Sequence, residues 1–493
     1  MLASGSYYGK LMLFIGFLVA IPLLVLPFFP SEIRYAPSFL VPSIISILLG
    51  FSTCAFTYKR KSDKDISAWQ KPTQSGSLPV LFVWCSGFVF GSIPFVIGGQ
   101  LSVIHSLFES ISGWTTAGMS IVDDVHSMPG IFLFHRSFMQ YCGGLGFILM
   151  IVMFTHSRQD MNLYSAEGHS DRIMPNLVTM SRRIFSLYVC FLVIGVLLYL
   201  ICGMDLFDAI CHAMSALSTA GFTTKADSIG AYGSFAIEGV TILLMLIGAS
   251  NFAVILLLTE GKIRLVFRVT EMRFLFCLIV VFVPLVTFSL ASKHDFGLGS
   301  AFRHALFGVV ATISTSGYKT MDYFTWPPFA FGLIMLLMFI GGSSGSTSGG
   351  IKLSRAYFLI RITRENVISR FSPRRKVTSP HYYSVRGRMP IDNSLIADTF
   401  GFVACYAGVV ILGTLLLTLT AECSLYDAFF EFSSALSTVG MSNGLASSST
   451  SVGSLAVLMA GMLLGRLEVL IVFVGVATGV HKIRQQFANR SKS

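Results

Sequence analysis

Phe108-Glu109-Ser110-Ile111-Ser112-Gly113-Trp114-Thr115-Thr116-Ala117-Gly118-Met119 is a short, largely apolar stretch that closes on two hydroxyl residues and a glycine. Its last five residues return in altered form as Ser218-Thr219-Ala220-Gly221-Phe222, Ser314-Thr315-Ser316-Gly317-Tyr318 and Ser437-Thr438-Val439-Gly440-Met441. One such pattern is weak evidence, because Ser, Thr and Gly populate any turn. Four of them, with glycines 103, 96 and 123 residues apart, make an internal repeat that sets the architecture before any detail.

Alignment on the glycines extends the agreement. Thirteen residues earlier stand His105, Asp208, His304 and Asp427; six earlier stand Ser112, Ser215, Ala311 and Ser434. The intervening stretches are about ten residues long, too short to cross a bilayer, and read as re-entrant half-helices. Non-helical backbone is tolerated at membrane depth only where it is buried in protein or lines a cavity, which suits a loop after each half-helix.

The bulk composition agrees. The 493 residues are 54% hydrophobic and 12% charged, against roughly 25% charged in ordinary soluble domains. Apolar windows of about 18 residues or more fall near 11–29, 37–57, 78–98, 129–155, 183–202, 234–258, 274–291, 327–360, 397–420 and 452–479. The expected fold is an all-α polytopic membrane protein with ten transmembrane helices: two extra N-terminal spans, then four span–pore loop–span repeats around a pseudo-fourfold pore. The divisions follow as 1–72, 73–160, 161–262, 263–372 and 373–493. The first window lacks a small-residue cleavage site and is followed by many spans, so it reads as a retained helix.

The net charge of +11 describes topology rather than a nucleic-acid partner. Lys10 and the segments 59–71, 158–183, 262–273, 352–388 and 482–492 carry 28 of the 35 basic residues. The other side has Arg34, Arg136, Lys225, Lys293, Arg303 and Lys319, and Arg466 lies within a span. The positive-inside rule places both termini in the cytoplasm and the pore loops outward. The nine cysteines occur singly, without metal-ligand or disulfide spacing.

A ring of backbone carbonyls can replace the hydration shell of potassium, and tetrameric channels build one from four loops. Here one chain supplies all four. Glycine reaches positive φ without steric cost, so Gly118, Gly221, Gly317 and Gly440 can turn carbonyls toward an axis. The candidate potassium-binding residues are Thr115, Thr116, Ala117, Gly118, Ser218, Thr219, Ala220, Gly221, Ser314, Thr315, Ser316, Gly317, Ser437, Thr438, Val439 and Gly440. Each threonine hydroxyl can support the ring or join it. Asp123, Asp124, Asp227, Asp322, Glu422 and Glu431 read as an acidic outer mouth that concentrates cations. Glu109, Asp208 and Asp427 lie deeper, where ionisable groups are functional or structural.

The chain resembles the Trk/Ktr/HKT superfamily of potassium transporters, most of all the membrane subunit of bacterial Trk-type uptake systems. The likeness rests on Phe108–Thr116, on Trp326-Pro327, on Gly341-Gly342-Ser343-Ser344-Gly345-Ser346-Thr347-Ser348-Gly349-Gly350-Ile351-Lys352, and on Gly461-Met462-Leu463-Leu464-Gly465-Arg466-Leu467-Glu468. Two spans ahead of the repeat also match the Trk branch, while Thr438–Gly444 looks more like the Ktr branch. The resemblance implies that Gly341–Gly350 is an intramembrane gate below the filter and that Arg466 projects toward the pore. Read from the residues alone, the alternatives are a flexible link between two helices for the run and a structural pairing with a carboxylate or carbonyl for Arg466.

The resemblance further implies a homodimer with one pore per chain, embedded in membrane lipid of the cytoplasmic (inner) membrane. It also implies docking of a TrkA-type nucleotide-binding regulatory subunit on the basic face around Arg374-Arg375-Lys376. The chain itself has no dinucleotide fingerprint and no expected organic cofactor; the resemblance implies K+ as the transported ion. Lys319 departs from the hydroxyl residue found at the same place in the other repeats (Ser120, Thr223 and Ser442), and would repel cations unless Asp322 or another carboxylate pairs with it. Two rivals stand beside this reading. One is a sodium-permeable or sodium-coupled transporter of the same superfamily, against which the four glycines argue. The other is a multi-spanning enzyme using His105, Asp208, His304 and Asp427 as a metal cluster.

Overall fold

In a computed structural model, residues 7–59, 72–146, 177–293, 297–371 and 380–490 are described. Two helices precede the repeat: α1 (Tyr7–Ala20), prolonged as a 3-10 segment through Phe28, and α2 (Ala36–Lys59). They pack along a seam of small residues. A methyl on Gly50 would sit 2.7 Å from the Gly9 carbonyl oxygen, and Ser43 Oγ donates to the Gly16 carbonyl at 2.7 Å. Close backbone approach through small residues is how apolar helices associate where lipid removes the hydrophobic drive.

The rest of the chain is built four times from a long helix, a short helix and a second helix, which in the second, third and fourth units is interrupted. The first unit is α3 (Pro72–Ile97), α4 (Val103–Trp114) and α5 (Gly130–Leu145). The second is α6 (Leu177–Ile201), α7 (Leu206–Leu217), α8 (Phe235–Ala249) and α9 (Phe252–Thr259), followed by the single turn α10 (Ile263–Val266). The third is α11 (Thr270–Lys293), α12 (Leu298–Ile313), α13 (Pro328–Met338) and α14 (Leu353–Phe371). The fourth is α15 (Asn393–Ala421), α16 (Leu425–Leu436), α17 (Val452–Arg466) and α18 (Val469–Arg490). The short helices hold the most buried polar residues, while the long helices expose large apolar side chains such as Leu48, Val280, Phe288, Ile411 and Leu419, as a lipid-facing surface requires.

Three expectations change. The windows 234–258 and 452–479 are not straight spans: α8 and α9 meet at 109°, and α17 and α18 at 103°. Asn251 makes the first break possible, its side chain capping α9 through the Ala253 N–H at 2.8 Å. At the second, Glu468 takes a left-handed φ of 59°. Among the described residues six helices are long and apolar enough to span, with two further bent pairs. The chain is also not wholly helical. The strands β1 (His381–Ser384) and β2 (Gly387–Pro390) pair antiparallel, Ser384 opposite Gly387, in the basic segment before α15. The Arg374-Arg375-Lys376 cluster lies outside the described residues, as do residues 60–71 and the end of the 129–155 window.

Candidate functional site

Each short helix stops in the same way. Its last carbonyls are closed by a Schellman-type turn, in which a left-handed residue lets the next N–H reach back past the helix end. Ala117 N–H donates to Ser112 O at 3.0 Å, Ala220 N–H to Ser215 O at 2.9 Å, Ser316 N–H to Ala311 O at 2.9 Å and Val439 N–H to Ser434 O at 2.9 Å. This explains the residue six before each glycine: its backbone carbonyl receives the turn, so its side chain is free to be Ser or Ala.

The left-handed residue in that turn is not glycine. Thr116, Thr219, Thr315 and Thr438 have φ of 58°, 52°, 59° and 53°. A β-branched residue rarely adopts this conformation, and holding it there stores on the order of 1–3 kcal/mol at each site. The expectation that the glycines do the turning therefore holds only in part. Gly118, Gly317 and Gly440 have φ of 76°, 66° and 81°; Gly221 is not among the positive-φ residues.

What all four glycines share is proximity. A methyl on Gly118 would lie 2.5 Å from Gly221 N, one on Gly221 2.5 Å from Ser316 O, one on Gly317 1.9 Å from Val439 O, and one on Gly440 2.0 Å from Ala117 O. The four segments thus close into a ring in chain order, backbone against backbone, with no room for a side chain. Four helix C-termini converge on this ring, each bringing about half a negative charge. The Oγ1 atoms of Thr116 and Thr438 are buried without a hydrogen-bond partner among the described residues, and an orphaned buried oxygen is costly unless something positive meets it. The oxygen-rich donor set fits a dehydrated alkali cation.

Behind the ring, side chains fasten each loop to its own short helix. In three repeats the residue thirteen before the glycine grips the residue three after it. Asp208 Oδ1 accepts from Thr224 Oγ1 at 2.7 Å, His304 Nδ1 bonds Thr320 Oγ1 at 2.8 Å and Asp427 Oδ1 accepts from Asn443 Nδ2 at 3.0 Å. The first repeat uses Glu109 instead. Fully buried, it receives Ser120 Oγ at 3.1 Å and Ile121 N–H at 3.3 Å, and Arg136 Nε pairs with it at 2.6 Å. Arg136 also holds Ser120 Oγ at 2.8 Å and stacks over the Phe222 ring at 4.1 Å, joining the first loop to the second. Glu431, expected at the outer mouth, is instead fully buried in α16.

These networks separate the members of the imagined metal cluster; among the described residues no group of His, Cys, Asp and Glu could hold a metal ion. They also pair basic side chains near the loops. Lys225 pairs with Asp208 at 3.1 Å, and Arg303 holds Glu238 through two bonds of 2.6 and 2.8 Å. Lys319 is not neutralised by Asp322, whose side chain instead caps Phe324 N–H at 3.1 Å. Its backbone ties the third loop to the second through Gly230 N–H and Ser228 Oγ.

The Gly341–Gly350 run lies directly beneath the threonines. Thr347 Oγ1 meets Thr219 Oγ1 at 2.9 Å, Gly349 N–H donates to Thr315 Oγ1 at 3.1 Å, and a methyl on Gly349 would fall 2.0 Å from Thr438 Oγ1. The run is pinned to the break of the second repeat by Ser343 N–H to Ala249 O and by Phe252 N–H to Gly345 O. Further anchors are Gly342 N–H to Ser348 Oγ at 2.8 Å, Ser344 Oγ to Ser354 Oγ at 2.6 Å, and Ser346 Oγ to Ser343 O at 2.6 Å. Gly341 and Gly350 sit at its two ends, where Gly341 N–H donates to Ile351 O.

Arg466 is the last residue of α17, at the break rather than mid-helix. Its guanidinium donates to Thr347 O in the run and to Gly143 O (2.6 Å) and Gly144 O (3.0 Å) at the C-terminus of α5. It therefore bridges carbonyls of the first and third repeats, in the favourable position for a cation at a helix C-terminus. Glu468, two residues on, pairs with Arg355 of α14 at 2.8 Å, so the fourth repeat's break is tied to the helix that follows the run. Sequence reasoning missed Arg355; its signal was only an arginine in a basic segment.

Residues 50–480 match the family described as TrkH, cation transport protein. The chain is 30% identical over 428 residues to the Trk system potassium uptake protein TrkG of Escherichia coli (strain K12), covering 83% of this chain and 86% of that protein. It is 28% identical over 444 residues to the Trk system potassium uptake protein TrkH of Halomonas elongata, covering 87% and 89%. The crystal structure of the potassium transporter TrkH from Vibrio parahaemolyticus has the same fold, with a TM-score of 0.79 at 24% identity over 96% of this chain and 98% of that one.

Proposed function

We propose that this chain, which belongs to the TrkH family of cation transport proteins, carries potassium across the cytoplasmic membrane through the ring closed by Gly118, Gly221, Gly317 and Gly440. Its relatives are transporters and not enzymes. The observation that carries the reading is that ring: four helix C-termini, contiguous backbone and two threonine hydroxyls, of Thr116 and Thr438, that have no hydrogen-bond partner among the described residues. Potassium exchanges its water for carbonyls and hydroxyls there, and the partial negative charge of the helix ends offsets part of its dehydration.

In this reading the second helices of the second, third and fourth repeats break at the level of the ring floor, and ten membrane crossings enclose one pseudo-fourfold pore with both termini in the cytoplasm. The repeats run over 73–160, 161–262, 263–372 and 373–493. Gly341–Gly350 plugs the exit: its small residues hydrogen-bond threonines of the ring, and Arg466 adds a fixed positive charge beside the path. Opening withdraws the run from Thr219, Thr315 and Thr438. The lever is α14, tied to the run through Ser354 and to the α17–α18 break through Arg355. A TrkA-type nucleotide-binding subunit docked on the cytoplasmic face would act on that helix, and two copies of this chain would pair in the membrane, each with its own pore.

The test is ion flux into liposomes holding the purified chain, with potassium, rubidium or sodium as the only permeant cation and the voltage set independently. Potassium and rubidium uptake that exceeds sodium uptake at equal driving force is the expected result. Equal sodium flux refutes potassium selectivity.

A further inference from the structure

The first and fourth repeats place a buried glutamate at the same register, nine residues before the glycine, but among the described residues only one of the two has a cation beside it. Glu109 has Arg136 at 2.6 Å. Arg136 is the seventh residue of α5; the seventh residue of α17 is Leu458, fully buried. From 389 to 465 the sequence contains no Lys or Arg at all. The elements packed on α16 are α15, α17 and α13. Within α13 there is no charged residue; α15 carries only Asp398, and α17 only Arg466, whose guanidinium is engaged with the carbonyls of Thr347, Gly143 and Gly144. Among the described residues no cation faces Glu431.

Its hydrogen bonds nevertheless suit a carboxylate. The Asn443 N–H donates at 3.0 Å and the Ala446 N–H at 3.2 Å. Ser442 Oγ lies at 2.6 Å, and because it already accepts from Gly444 N–H at 3.0 Å, its own proton is available to Glu431. Three donors on an acceptor offset part of the cost of burying a carboxylate there. Its neighbours Ser442 and Asn443 follow Gly440 by two and three residues, so the carboxylate stands immediately behind the fourth wall of the ring.

We propose that Glu431 is the counter-charge of the cation in the ring and thereby sets its affinity, a role Glu109 lacks because Arg136 cancels it. The inference rests on the potassium-pore reading above. An ion arriving in the ring supplies the positive charge that this buried carboxylate does not find among the described residues, so attraction is strongest on the side of the fourth repeat.

The experiment compares wild type, Glu431→Gln and Glu431→Asp in the same liposomes, reading potassium flux against concentration. Glu431→Gln should raise the half-saturating potassium concentration about tenfold, the effect expected of one unit charge a filter's width away at the effective dielectric of a protein interior. Maximal flux should stay within about twofold of wild type, and Glu431→Asp, with the charge kept, should stay near the wild-type half-saturation. An unshifted half-saturation in Glu431→Gln, or equal shifts in Gln and Asp, overturns the role of Glu431 and reduces it to a structural brace. If the Gln variant does not fold, a tenfold shift in Glu431→Asp alone has the same meaning. Absence of potassium flux in wild type, by contrast, overturns the pore reading itself.

Discussion

Replacing Arg466 by Ala tests the floor of the pathway, and its size can be worked from the contacts. Arg466 donates to Thr347, Gly143 and Gly144, the last two at the end of α5. Of these three, the bond to Thr347 O is the one that joins it to the glycine-serine run. The difference between run-in and run-out states is therefore one charge-assisted hydrogen bond, worth about 1.5–3 kcal/mol. At 1.4 kcal/mol per factor of ten, that shifts the closed-to-open ratio by about ten- to a hundredfold. The fixed charge also leaves the path, which lowers the barrier further in the same direction. Arg466→Ala should thus raise basal potassium flux into liposomes, with no partner protein added, by at least about tenfold if the wild type is mostly closed. Arg466→Lys keeps the charge but lacks the planar fork that reaches several carbonyls, and should fall between. Unchanged or lower flux in a monodisperse Arg466→Ala preparation with a wild-type melting curve would refute the reasoning.

Other expectations follow from the same geometry. Gly118→Ser puts a side chain where even a methyl lies 2.5 Å from Gly221 N, so the first and second loops must part; the ratio of sodium to potassium flux should rise severalfold, and unchanged selectivity would remove Gly118 from the filter. Glu109→Gln leaves Arg136, 2% exposed, without its carboxylate, which should cost about 3–5 kcal/mol and appear as a clear fall in detergent-solubilised melting temperature. Glu431→Gln, with no cation left unpaired, should lower it much less.

How much of this was legible in sequence depends on what kind of signal each feature leaves. The four glycines and the short helices before them are readable because repetition multiplies a weak motif. The residues six and thirteen before each glycine were visible as columns, yet their meaning was not. The first column is a backbone acceptor, which constrains no side chain, and the second is a clasp onto a residue sixteen positions later. The breaks at Ser250-Asn251 and Leu467-Glu468 were hidden because both halves are apolar, and hydropathy cannot distinguish a bent pair from a straight span. Glu431 was assigned to the mouth on proximity in sequence to the outer loop, whereas the pitch of α16 turns it inward.

The sequence by itself determined the membrane environment, the fourfold repetition, the register of the four loops and the family, because each depends on composition and spacing along the chain. Tertiary structure alone decided which residues carry the strain and the charge. That the threonines rather than all the glycines adopt the left-handed turn follows from how each helix end must close. That Arg136 neutralises Glu109 while Leu458 leaves Glu431 uncompensated depends on side chains brought together from separate helices, a relation that spacing does not encode.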